Sequence, residues 1–312
     1  MNPFKKHFSK ISSEIGSTLI MVIVAMVVIA VLGMGLYTLT MTSALNQAEA
    51  QKAAKAYYIS ESCIRIAASE YKAAANKNSK LVEMHGKTFT MPNNQGSCTV
   101  EIYPYWFYVT TAYAVGIDSI TIYMPGAVPR ISADETSADY TTAVTFPSSG
   151  FLRVKDESRS PAWAGTAELQ YTSRSDPPYT VGANGTAVTF TLSAPLTNAT
   201  IIGDEFYLGY AYTLPVTLPF TLNAGGSLVL NTDTNDLTAK IFPPEKGSIF
   251  FDQLGIIQLS YDKRNIDTTA HTVTLTNIQA LGTTVMPVTI SSNPTIYMGK
   301  SLGLRSTSTF GN

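Results

Sequence analysis

Between Glu14 and Glu49 the chain carries no charged side chain, 34 residues in succession. Within that interval Leu19 to Leu32 is a run of Leu, Ile, Met, Val and Ala without interruption. A bilayer-spanning helix takes about 20 apolar residues. A cleavable secretory signal has an apolar core of only about 7–15, closed by a small-residue cleavage site. This run is longer, and no such site follows it, so the sequence predicts a membrane-spanning helix. Lys5, Lys6 and Lys10 precede the run, and basic residues stay on the cytoplasmic side. The predicted topology is therefore single-pass in the inner membrane, with everything after about Tyr37 extracytoplasmic.

The flanks narrow the reading. A short basic segment ends in Ile15-Gly16, and Ser17-Thr18-Leu19-Ile20 passes directly into the apolar run. Here the chain resembles a type IV prepilin, whose basic leader ends in glycine and is followed at once by a hydrophobic segment. The resemblance implies a leader over residues 1–16, cut by prepilin peptidase between Gly16 and Ser17. It also implies a partner-binding helix that includes Leu19, Ile20, Met21, Val24, Val28 and Leu32. In that family the fifth mature position is usually Glu, which pairs with the N-terminal amine of a neighbouring subunit; here it is Met21. A carboxylate in hydrocarbon is costly unless paired, and a subunit placed first in a filament has no earlier neighbour to pair with. The substitution therefore points to a tip or initiating subunit. A plain signal-anchor is the other reading of the same run.

No proline lies between Phe4 and Met91, so one long helix is permitted, with Gly33 and Gly35 as its weak points. Ala53, Ala56, Tyr57, Ser60, Cys63, Ile64, Ala67, Tyr71 and Ala74 recur at three-and-four spacing, a stripe suited to packing on a sheet. The predicted helix runs over 17–76, with 17–40 in the membrane and 41–76 amphipathic. Ala56-Tyr57-Tyr58-Ile59-Ser60-Glu61-Ser62, with Gly16 and Leu32-Gly33, resembles PilX-type minor pilins over about the first quarter of the chain. K-type minor pseudopilins of type II secretion are similar in lacking the Glu.

From residue 86 to 312 the pattern turns to short alternating runs. Cys98–Tyr103, Ser119–Tyr123 and Ala187–Leu192 read as half-buried strands. Glu205–Thr213, Ser227–Leu230, Ile256–Tyr261, His271–Thr276 and Val285–Ile290 are further candidates. Asn184-Gly185, Gly225-Gly226, Pro177-Pro178 and Pro243-Pro244 mark turns. The expected fold class is α+β, the long helix packed on a mostly antiparallel, sandwich-like β domain. A boundary near 156–178 would split it into two lobes. Cys63 and Cys98 both fall on the oxidising side, so they form a disulfide or remain two buried thiols. Tyr103-Pro104-Tyr105-Trp106-Phe107-Tyr108 is either a buried layer between helix and sheet or an exposed partner surface.

Catalytic signatures are missing. His85 and His271 have no partner at a recognisable spacing, and no nucleophile elbow, zinc-protease motif or phosphate loop occurs. The expectation is a non-enzyme with no cofactor and no metal. Asn231 to Asp236 alternates oxygen-bearing side chains like a calcium loop, but lacks glycine at the sixth position and Glu at the twelfth, where Phe242 stands; it reads as a polar turn. With 21 basic and 22 acidic residues, nothing draws the chain to nucleic acid. The expected partners are other pilin or minor-pilin subunits, prepilin peptidase, the inner membrane, and a tip adhesin or surface ligand.

Overall fold

A computed structural model describes residues 4–92, 96–131, 142–154, 168–252 and 256–309, with side chains described from Met21 onward. The chain forms two compact units, Met1–Ile59 and Ser60–Asn312. The first is helix alone. Helix α1 runs from Phe4 to Ala73 without a break, through both Gly33 and Gly35, neither of which has anything within 4 Å of where a Cβ would sit.

In the second unit, the last turns of α1 are followed by a short helix α2 (Lys77–Met84), so the long helix ends three residues earlier than the spacing predicts. The cause is local. Asn76 takes an extended conformation and its side chain accepts from the Ser79 N–H at 3.0 Å, capping a new helix rather than continuing the old one. Strands β1 (Lys87–Thr90) and β2 (Ser97–Pro104) follow. Then come β3 (Phe107–Tyr108), β4 (Ser119–Met124), β5 (Arg130–Ile131), β6 (Thr142–Ala143), β7 (Gly150–Val154) and β8 (Glu168–Arg174). β9 (Val181–Gly182), β10 (Gly185–Leu192), β11 (Glu205–Ala211), β12 (Phe220–Leu222) and β13 (Leu228–Asn231) lead to a helical turn α3 (Leu237–Lys240). The chain ends in β14 (Glu245–Asp252), β15 (Ile256–Asp267), β16 (Thr272–Thr276), β17 (Gln279–Ala280), β18 (Val288–Ile290), β19 (Thr295–Met298) and β20 (Leu302–Thr309).

All pairings among the described residues are antiparallel, as expected. A three-stranded sheet has the order β1-β2-β20. The large sheet runs β13-β16-β15-β14-β19-β11-β3-β4-β10-β8-β7, and β7 then pairs back onto β11. Six strands (β11, β3, β4, β10, β8, β7) thus close on themselves into a small barrel, which removes strand edges; the pairing is one continuous sheet path, where two packed sheets were expected. Its interior follows the alternation of the sequence: Ile120, Ile122 and Met124 from β4, Val188, Phe190 and Leu192 from β10, and Phe206, Leu208 and Tyr210 from β11 are all buried. Burying each such side chain contributes about 1.5–3 kcal/mol. The same core continues under β13–β16 through Leu230, Phe251, Leu259, Tyr261 and Leu275. Of the expected lobe boundary, 155–167 lies outside the described residues, and β8 pairs with both β7 and β10. Pro177–Pro178 carries a cis peptide bond.

Candidate functional site

The apolar helix is the first candidate. Met21, Val24, Val28 and Leu32 are 74%, 56%, 50% and 61% exposed, so no protein surface within the first unit covers them. The backbone of Gly16, Ser17, Leu19 and Ile20 is helical, and their side chains lie outside the described residues. A helix apolar on every side belongs in a protein core or a membrane. This one is long and apolar enough to cross a bilayer, and none of its apolar span is buried. Three threonine hydroxyls that follow are satisfied from within. Thr38, Thr40 and Thr42 donate to the carbonyls of Met34, Leu36 and Thr38, at 2.5, 2.7 and 2.8 Å, so these three hydroxyls need no water.

Where the chain leaves α1, three devices fix it to the small sheet. Cys63 and Cys98, both buried, form the expected disulfide with Cα atoms 6.5 Å apart. The Ser60 hydroxyl donates to the Ser306 carbonyl at 3.0 Å, and Ala67 is buried beside them. Lys80 bridges Glu70 and Glu83 at 2.9 Å each, and Lys87 adds to the same pair of carboxylates. These bonds hold both Glu70 and Glu83 below the usual carboxylate range. The predicted stripe packs only in its second half: Ala53 and Tyr57 are exposed, because they belong to the unit that is helix alone.

The aromatic stretch is buried. Trp106 and Phe107 are each 1% exposed, and the Trp106 indole N–H donates to Asn78 Oδ1 of α2 at 3.1 Å. Lys300 Nζ lies 4.8 Å from the Trp106 ring centroid. His85, at the end of α2, accepts from the Ile102 N–H through Nδ1 at 3.0 Å, so its ring is neutral there. Burial holds its pKa below the ordinary value, with Glu101 pulling the other way. In the unfolded chain the ring protonates near pH 6.5, before the folded ring does. The neutral ring therefore contributes its full stability above about pH 6.5 and loses it as pH falls toward the folded value. Thermal unfolding followed by circular dichroism should show the midpoint falling between about pH 7 and 5. His85→Asn, which can still accept from Ile102, should flatten that slope.

The Asn231–Asp236 segment is a turn. Asp233 Oδ1 accepts from the Thr238 N–H and hydroxyl at 2.8 Å each, and Asp236 Oδ1 accepts from the Thr232 hydroxyl at 2.7 Å. His271 Nδ1 stands 3.2 Å from the same Asp236 oxygen. That contact, across 35 residues, has no signature in the sequence. Both Asp236 and His271 have positive φ, so two turns are tied together by it. Buried Arg264 donates to the carbonyls of Lys240 and Phe242, at 3.0 and 2.8 Å, and closes α3.

Among the described residues, two cavities of the β unit bear on the site. One, of about 300 Å³, is lined by Arg153, Phe250 and Lys300. Its cations are already engaged: Arg153 pairs with Asp252 and lies over Phe250 and Tyr297, and Lys300 pairs with Glu205. The other, of about 370 Å³, lies between β20 and the start of β14. Compared with known proteins, the chain matches no family model, no curated protein and no solved structure.

Proposed function

We propose that this chain is a minor, tip or initiating subunit of a type IV pilus-like filament, held in the inner membrane until it assembles. The observation that carries the reading is the uncovered apolar helix. Sixteen large apolar side chains from Met21 to Leu45 are exposed. At about 1.5–3 kcal/mol each, leaving them in water costs on the order of tens of kcal/mol, more than the ~5–15 kcal/mol that holds a domain folded. Such a helix needs lipid or other apolar helices around it. A filament core of bundled helices resembles the bilayer interior in apolarity, so transfer between the two has little cost. Met21 in place of a carboxylate supports a position without an earlier neighbour. The disulfide and the ion pairs at Glu70 and Glu83 give the helix a firm hold on the β unit, which a subunit pulled by its helix requires.

Co-expression with prepilin peptidase tests the reading. The chain should shorten by 16 residues, and Gly16→Val should abolish the shortening. A chain that stays uncut in both is a membrane-anchored surface protein and not a pilin. The K-type pseudopilin reading predicts the same cut and is separated by whether the chain appears in surface pili or in a secretion pseudopilus.

A further inference from the structure

Among the described residues no strand pairs with the second edge of β20. In β2 the even-numbered residues face β1: Met91 N–H donates to the Gly96 carbonyl and Gly86 N–H to that of Val100. The odd-numbered ones therefore face β20, in the register Glu101↔Arg305 and Tyr103↔Gly303. On β20, the main-chain groups of Leu302, Leu304, Ser306 and Ser308 consequently point away from β2. The Ser306 carbonyl receives the Ser60 hydroxyl. Among the described residues no hydrogen bond reaches the outward groups of Leu302 and Leu304. Beside them β14 and β20 diverge. Gly299 N–H still donates to the Ser248 carbonyl, but the Ser248 N–H turns to the Ser301 hydroxyl. The wedge that opens is the 370 Å³ cavity, with Leu302, Leu304 and Arg305 on one side, Pro244, Glu245 and Lys246 on the other, and Arg130 at its rim, so three cations and one carboxylate line it. Arg130 and Arg305 are exposed and form no ion pair among the described residues. Lys246 is paired with Asp262. Glu101, opposite Arg305, accepts from the Tyr103 hydroxyl at 2.6 Å.

We infer that this wedge takes an extended, carboxylate-bearing peptide segment of a partner protein, added as a strand on the free edge of β20. The outward N–H and C=O of Leu302 and Leu304 supply the main-chain bonds of strand addition. The two guanidinium groups take the carboxylate, for which a planar, many-donor group is the best match. Pro244 walls the far side and offers no competing N–H. This inference stands whether or not the chain enters a filament.

The test uses the full chain in detergent micelles and a panel of capped, fluorescent five-residue peptides of alternating Thr and Val with a central Glu or Asp. Fluorescence anisotropy should show saturable binding by members of the panel. The Gln or Asn twin of a binding peptide should bind about tenfold more weakly, as should the acidic peptide to Arg305→Gln or Arg130→Gln. A backbone N-methylated copy of that peptide, which leaves the protein untouched, should lose binding. Leu304→Pro, which removes one outward N–H and no ladder bond, should do the same with an unchanged thermal midpoint. No saturable binding below millimolar concentration by any panel member would overturn the inference. So would binding indifferent to charge, or succinate competing as well as the peptide, which would make the wedge a simple anion site.

Discussion

Replacing Cys63 and Cys98 together by serine lowers the stability of the Ser60–Asn312 unit by about 4 kcal/mol, the value expected for opening a loop of this length. The two residues stand 35 apart in sequence, and the cross-link removes the corresponding loop freedom from the unfolded chain. Both positions are buried, so two serine hydroxyls left without partners add to the loss. Much of a single domain's stability is at stake, since the total is only about 5–15 kcal/mol. Denaturant unfolding of the full chain in detergent, followed by tyrosine and tryptophan fluorescence, measures it. Reduction of the wild type should reproduce most of the change. A loss below about 1 kcal/mol would mean that the ion pairs of Lys80 and Lys87 and the burial of Ala67 already hold the helix in place.

Trp106→Ala should cost about 3–5 kcal/mol, the range for deleting a buried large side chain. The substitution empties the space between α2 and the small sheet and also leaves Asn78, itself buried, without the indole N–H. An orphaned buried acceptor adds about 1–3 kcal/mol. Trp106→Phe keeps most of the apolar volume and should lose mainly the hydrogen bond. If the alanine and phenylalanine variants unfold at the same denaturant concentration, packing contributes little and the hydrogen bond to Asn78 accounts for most of the loss.

The elements that alternate cleanly were legible in the sequence. Ser119–Tyr123 and Ala187–Leu192 place Ile, Val, Phe and Leu on one face and mostly Ser or Thr on the other, and they are the strands β4 and β10. Topology allowed the disulfide, because both cysteines lie beyond the predicted membrane segment, but two buried thiols fitted the sequence as well. Other elements gave no such signal. β20 reads Leu-Gly-Leu-Arg-Ser-Thr-Ser-Thr, mostly small and polar, because it is an edge strand that buries little. β14 opens on Glu245, Lys246 and Gly247, which look like a turn. Gly247 is required there because the Tyr261 ring lies where a Cβ would project. The closure of β7 onto β11 depends on pairing between strands some 55 residues apart, which no local pattern encodes. The contact between Asp236 and His271, and the wedge beside β20, have the same origin: each is made by tertiary placement of residues that are ordinary in their own segments. The apolar helix is the opposite case, legible because one environment dictates every residue of it.

On the proposed function, the apolar helix leaves the membrane for a filament after a cut between Gly16 and Ser17. N-terminal sequencing of the chain recovered from sheared surface filaments tests it most directly. A mature N-terminus at Ser17 is expected in that fraction. A chain confined to the membrane with Met1 intact, or one cut beyond residue 40 so that the helix is lost, would contradict it.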